Sequence, residues 1–243
     1  MFRGLGTLIN IAAIVAGGTL GAFTGGKLRD QTRSLITDIL GCITLLAAAD
    51  ALTAMWKADL LDALPRGWNL LGTLFALILG GALGSALHIQ ERLENFGINL
   101  KNRFGGSEKS FVAGFMAATL LFAVGPLAIL GSVSDGMGNG ITQLTLKSTL
   151  DFFAALAFAS SFGTGVVASI IPVGLYQAGW TAIGFFLGRI MSPYQIDAMT
   201  VAGGVLLLGI ALKLLDIKAM RVGDLLPAIF IAPLIALAAH QFI

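Results

Sequence analysis

Charge is what this sequence has least of. Only 12% of its 243 residues are Asp, Glu, Lys or Arg, and the formal net charge is +2. A soluble domain carries roughly 25% charged residues. A chain this poor in them has too little polar surface to face water, and a basic field strong enough to hold nucleic acid is excluded. Cysteine is nearly absent as well. The single Cys42 lies inside an apolar run and has no partner for an internal disulfide, so it reads as a small hydrophobe. The two histidines, His88 and His240, are far apart and each ends an apolar run. No His, Cys and Glu cluster has metal-ligand spacing, and no glycine-rich lysine loop suits a nucleotide. No metal and no cofactor are expected.

What is abundant is apolar sequence. Hydrophobic residues make up 56% of the chain and the mean hydropathy is +0.89. A bilayer-crossing helix needs about 20 mostly apolar residues. Eight stretches qualify: 6–24, 35–55, 70–88, 111–131, 142–160, 165–190, 198–215 and 225–242. Glycine and proline interrupt the fourth to sixth, so about seven or eight spans are expected. The chain therefore reads as one integral membrane domain, 1–243, with an all-α polytopic helix bundle as its fold. The N-terminal run has one charge, Arg3, and no A-x-A cleavage site, so it is kept as the first span rather than a signal peptide.

Lys and Arg in short loops set orientation. With the N-terminus outside, the inner loops collect Lys27, Arg29, Arg33, Arg92, Lys101, Arg103, Lys109, Lys213, Lys218 and Arg221, ten of the fifteen basic residues. Both termini are thus expected outside the membrane. The segment 88–110 places Ile89, Leu93, Phe96 and Leu100 at helical spacing between charges, as a helix lying on the inner surface does.

Small residues recur four apart. Gly17, Gly21 and Gly25 fall in the first span, Gly80 and Gly84 in the third, Gly184 and Gly188 in the sixth. Such spacing lets helices approach closely in lipid, within one chain or between copies of it, so a homo-oligomer is among the expected assemblies. The stretch 21–52 aligns with 184–215, and "FMAATLLFAVGP" from Phe115 aligns with "FAALAFASSFGT" from Phe153. Under the expected topology the paired spans run in opposite senses, an inverted repeat of the kind found in secondary transporters, with halves 1–131 and 132–243.

Polar side chains are costly in lipid, so their concentration between 125 and 164 stands out. Gly125 and Pro126 break one span within "GPLAILGSVSDGMGNG", and Ser160, Ser161, Gly163 and Thr164 break another within "SSFGTG". Backbone groups freed at membrane depth need protein or a water-filled cavity, and transporters use such breaks to hold ions and substrates. Lys147 and Asp151 are four apart and share a helix face, so they either pair or the lysine snorkels outward. Asp135 is either an outer-vestibule acid or part of a turn in water. Ser132, Ser160, Ser161 and Thr164 offer coordinating hydroxyls. Asp50 is a secondary candidate as an intramembrane acid, and Asn10 reads as a bridge between helices.

These stretches also carry a resemblance. The runs "GPLAILGS", "LKSTLD" and "FASSFGTGV" are similar to those of the bacterial inner-membrane family catalogued as domain of unknown function 554, the YqgA-like and YdfK-like membrane proteins. The likeness covers essentially the whole chain, with Phe152 and Thr164 departing from the usual pattern. It implies a polytopic membrane protein and names no ligand. The expected function is a secondary transporter or channel for a small solute or ion, with the lipid bilayer and that solute as partners. The alternatives are a structural or assembly protein and a membrane-embedded enzyme. An enzyme is not expected, because neither histidine is near the serines in sequence and no G-x-S-x-G turn occurs.

Overall fold

The computed structural model describes residues 2–25, 29–104, 110–123, 126–187 and 191–242. Among them every regular element is helical. Lipid leaves no other economical choice, since a helix satisfies its backbone groups within one segment. The α-helices are α1 (Leu5–Gly25), α2 (Asp30–Leu52), α3 (Ala58–Leu61), α4 (Trp68–Ala86), α5 (Ile89–Phe104), α6 (Phe111–Ala123), α7 (Pro126–Met137), α8 (Thr142–Phe162), α9 (Gly165–Ala168), α10 (Ile170–Leu187), α11 (Pro193–Leu214) and α12 (Pro227–His240).

Among the described residues, six helical stretches are long and apolar enough to cross a bilayer: Leu5–Gly25, Asp30–Trp56, Trp68–Ala86, Gly165–Phe186, Pro193–Leu214 and Val222–His240. A seventh arises if α6 and α7, bent by 59° at their junction, count as one broken span. The remaining expected span, 142–160, forms α8. At 21 residues and about 1.5 Å per residue α8 is long enough to cross. Its sequence is simply less apolar, because it carries Gln143, Lys147, Ser148 and Asp151 in its first half.

The helices fall into two compact units. The first contains α1, α2 as far as Leu40, α5 from Glu94, α6, α7 from Leu127, and α8, α9 and α10. The principal neighbour of α1 is α8. They run parallel, with Gly6 against Leu144, Gly17 against Phe152, Gly21 against Leu156 and Gly25 against Ser160. A β-carbon at Gly17 or Gly21 would overlap the carbonyl of Phe152 or Leu156, so the glycines are what lets the two backbones touch. At the other end of the unit Gly165 of α9 sits on the Phe111 carbonyl, and Phe96 of α5 meets Phe115 of α6 with ring centroids 5.9 Å apart.

The second unit contains α2 from Gly41, α3, α4, the start of α5, α11 and α12. Its centre is an apolar cluster of Leu60, Ala76, Ala198, Val201, Ala202, Ala232, Ala236 and Ala239. Here α4 packs on α12, with Gly80 against Ala228 and Gly84 against the Asp224 carbonyl. α11 opens with a capping box in which Ser192 and Gln195 exchange hydrogen bonds ahead of Pro193. α12 starts at Pro227, where a missing N–H costs nothing.

Candidate functional site

α8 is built inside out. Its exposed side carries Leu146, Leu150 and Phe153, and its buried side carries Lys147, Ser148 and Asp151. The exposed Thr145 and Thr149 donate their hydroxyls back to the carbonyls of Ile141 and Thr145, at 3.0 and 3.1 Å, which suits a face turned to lipid. Lys147 Nζ donates to Asp151 Oδ2 in an ion pair one helical turn long. The two residues are only 6% and 7% exposed. The outward-snorkelling geometry is therefore not adopted: the lysine has a carboxylate on its own buried face, and the Phe122 ring of α6 lies 5.8 Å from its Nζ.

The same unit buries a set of polar atoms that the protein leaves unmatched. Gln177 Oε1 and Nε2, Thr119 Oγ1 and Ser132 Oγ are all buried without a hydrogen-bond partner, and the Asn10 carboxamide is turned to the Asp151 carboxylate. Elsewhere the hydroxyls follow the ordinary helical rule. Ser148 bonds the Leu144 carbonyl at 2.6 Å, and Thr200 bonds the Ile196 carbonyl at 2.7 Å. Thr119 and Ser132 do not turn back in this way.

Helix register brings these groups to one level. In the parallel pair α1 and α8, Gly6 meets Leu144 and Gly17 meets Phe152, which sets Asn10 beside Lys147 and Ser148. The Asn10 amide lies next to the Asp151 carboxylate. α10 runs antiparallel to α1, because Thr7 approaches Thr181 with its hydroxyl at 3.5 Å and Ile11 approaches Gly174. That register sets Gln177 opposite Asn10. On α7, Gly131 packs on Leu144, so Ser132 is within a turn of Lys147. On α6, Thr119 is one turn before Phe122, whose ring faces Lys147. Five helices of one unit thus contribute to a buried polar centre.

The sequence-derived candidates divide. Lys147, Asp151 and Ser132 belong to this centre. Asp135 is 2% exposed and accepts a hydrogen bond from the Gly6 backbone N–H at 3.0 Å. It does not sit in a water-facing turn, because α7 continues through Met137 and the chain turns only at Gly138, with φ +81°. A carboxylate there meets the positive end of α1. Pro126 begins α7 at the bend from α6, and Gly125 lies outside the described residues. Ser160, Ser161, Gly163 and Thr164 are nine or more residues past Asp151, at least about 13 Å farther along the chain direction of α8. They are not brought to the polar centre. Ser160 Oγ donates to the Ala157 carbonyl at 2.7 Å, Gly163 ends α8 with φ +77°, and Thr164 is exposed ahead of α9. Asp50 is exposed near the end of α2, in the second unit.

Thr119, Phe122 and Gln177 were not singled out by the sequence. Gln177 had a signal: it is the one carboxamide in 165–190, as Asn10 is in 6–24. Among the described residues, no group of three or more His, Cys, Asp or Glu is placed to hold a metal ion.

Residues 5–237 match the family described as "Protein of unknown function (DUF554)". The chain is similar to "Uncharacterized membrane protein YdfK" of Bacillus subtilis (strain 168), with 26% identity over 98% of this chain and 97% of that protein. It is similar to "Uncharacterized protein YqgA" of Escherichia coli (strain K12), with 29% identity over 94% of each. No solved structure matches.

Proposed function

The chain belongs to the membrane-protein family DUF554, and from that membership and the polar centre we propose a secondary transporter or channel for a small solute or ion. We place it in the bacterial inner membrane with both termini outside, following the distribution of Lys and Arg in its loops. One observation carries the reading. A buried ion pair, with Asn10 against its carboxylate, lies in the unit that also buries Thr119, Ser132 and Gln177, whose side-chain polar atoms have no partner in the protein. Leaving a buried donor or acceptor unmatched costs about 1–3 kcal/mol. Groups of this kind inside a membrane domain mark solute and ion paths. The bend between α6 and α7, and the expected inverted repeat, add support of the kind transporters offer. With no nucleotide motif in the sequence, any energy for this movement would come from an ion gradient.

The test pairs binding with uptake. Purified protein in detergent is screened by thermal shift against inorganic ions, amino acids, organic acids and other metabolites, beside Asp151→Asn. A solute that binds the folded state raises its melting temperature with concentration. The expected result is a shift with one solute class that Asp151→Asn loses, and loss of uptake by the same variant in vesicles. Normal uptake by Asp151→Asn would remove the polar centre from the pathway. No shift and no uptake with any solute would move the protein to a structural role.

A further inference from the structure

The charge balance of the polar centre restricts what it can take. In α1, α6, α9 and α10 the described residues include no Asp, Glu, Lys or Arg, and α7 and α8 add Asp135, Lys147 and Asp151. Asp135 is held by the Gly6 N–H at the start of α1. Lys147 and Asp151 neutralise each other directly. The pair itself therefore has no charge left over, and the one further charge, Asp135, sits a turn past Ser132 at the start of α1. A cation reaching the pair meets the Lys147 ammonium, an anion meets the Asp151 carboxylate, and either gives up its hydration for a pair of zero net charge. What the centre does offer is hydrogen bonding from neutral groups. The carboxamide of Gln177 presents donors and an acceptor, and the hydroxyls of Thr119 and Ser132 do both. The Phe122 ring adds an apolar surface beside Lys147.

We infer that the solute of this centre is a small, uncharged molecule that both donates and accepts hydrogen bonds, of the amide or polyol class, and that the Lys147–Asp151 pair excludes free ions. The inference rests on the transport reading above. A zwitterion is the rival, and it would have to open the ion pair to reach both charges.

The full-length protein is reconstituted in vesicles and given four probes: urea and glycerol as uncharged solutes, glycine as the zwitterion, and NaCl. Reswelling after an osmotic step follows the first three, and membrane current follows Na+ and Cl−. Urea or glycerol should enter faster than in protein-free vesicles, with no current from NaCl alone. Gln177→Leu, which keeps the bulk and removes both unmatched atoms, should slow that entry about ten-fold, the cost of one lost hydrogen-bonding partner. Its melting temperature should stay level or rise, which a glutamine holding the fold together would not allow. A current carried by Na+ or Cl− with no uncharged solute present, or entry of glycine alone, overturns the inference and leaves transport standing. Failure of every probe to cross with correctly melting protein overturns both.

Discussion

The two units solve the same packing problem and differ in what they bury. In each, glycines four apart let two backbones meet: Gly17 and Gly21 on α8 in one, Gly80 and Gly84 on α12 and the turn before it in the other. The second unit then closes over satisfied groups. Gln195 accepts from the Ser192 N–H at 2.9 Å and donates to the Pro233 carbonyl at 3.3 Å. Asp197 takes Lys57 at 2.9 Å. Asp224 accepts from the Gln90 N–H at 2.9 Å and from Arg221 at 2.7 Å. The first unit buries the Gln177 carboxamide and the Thr119 and Ser132 hydroxyls with no partner, in addition to its ion pair. Close helix contact is therefore not what distinguishes a site from a scaffold. The distinction is whether the polar groups held by that contact are matched.

The first pair of variants tests what the units share. Gly21→Ala and Gly84→Ala each drive a methyl into a backbone carbonyl, of Leu156 and of Asp224. Each should cost about 3 kcal/mol, the upper range for overpacking. Gly179, with open space around it, should accept alanine with a change within about 1 kcal/mol. Thermal melting in detergent, followed by tryptophan fluorescence, reads all three, and a tolerated Gly21→Ala would mean that α1 and α8 are farther apart.

The next pair of variants separates the units. Asp151→Ala leaves the Lys147 ammonium buried and alone, a loss of about 3–5 kcal/mol. Asp197→Ala leaves Lys57, whose side chain is 56% exposed, free to turn to water, and should cost about 1 kcal/mol or less. Equal losses would break the contrast by showing that Lys147 also reaches solvent. The smallest effect differs in sign. Gln177→Leu should leave stability level or raise it, whereas Gln195→Leu abandons the Ser192 N–H and the Pro233 carbonyl and should lose about 1–2 kcal/mol. A loss for Gln177→Leu as large as that for Gln195→Leu would mean the glutamine is matched in solution.

Membership of the membrane class follows from composition alone, because a chain with 12% charge and long apolar runs has one solvent that suits it. Periodicity carries most of the helices, and the spacing of Lys147 and Asp151 already put them on one face. The glycine pairs predicted close contact, and Gly17, Gly21, Gly80 and Gly84 make it. Which helix each glycine meets was not legible, since one small-residue stripe fits any partner. The choice between a snorkelling and a buried Lys147, and between a wet and a capping Asp135, depended on neighbours far along the chain: Phe122 for one, the Gly6 N–H for the other. The grouping of Asn10, Thr119, Ser132 and Gln177 had the same origin. Local sequence records that each is polar in an apolar span, but a hydrogen bond is made or missed by a few tenths of an ångström between helices. That separation is set by how the helices pack against one another, and it exists only in the folded chain.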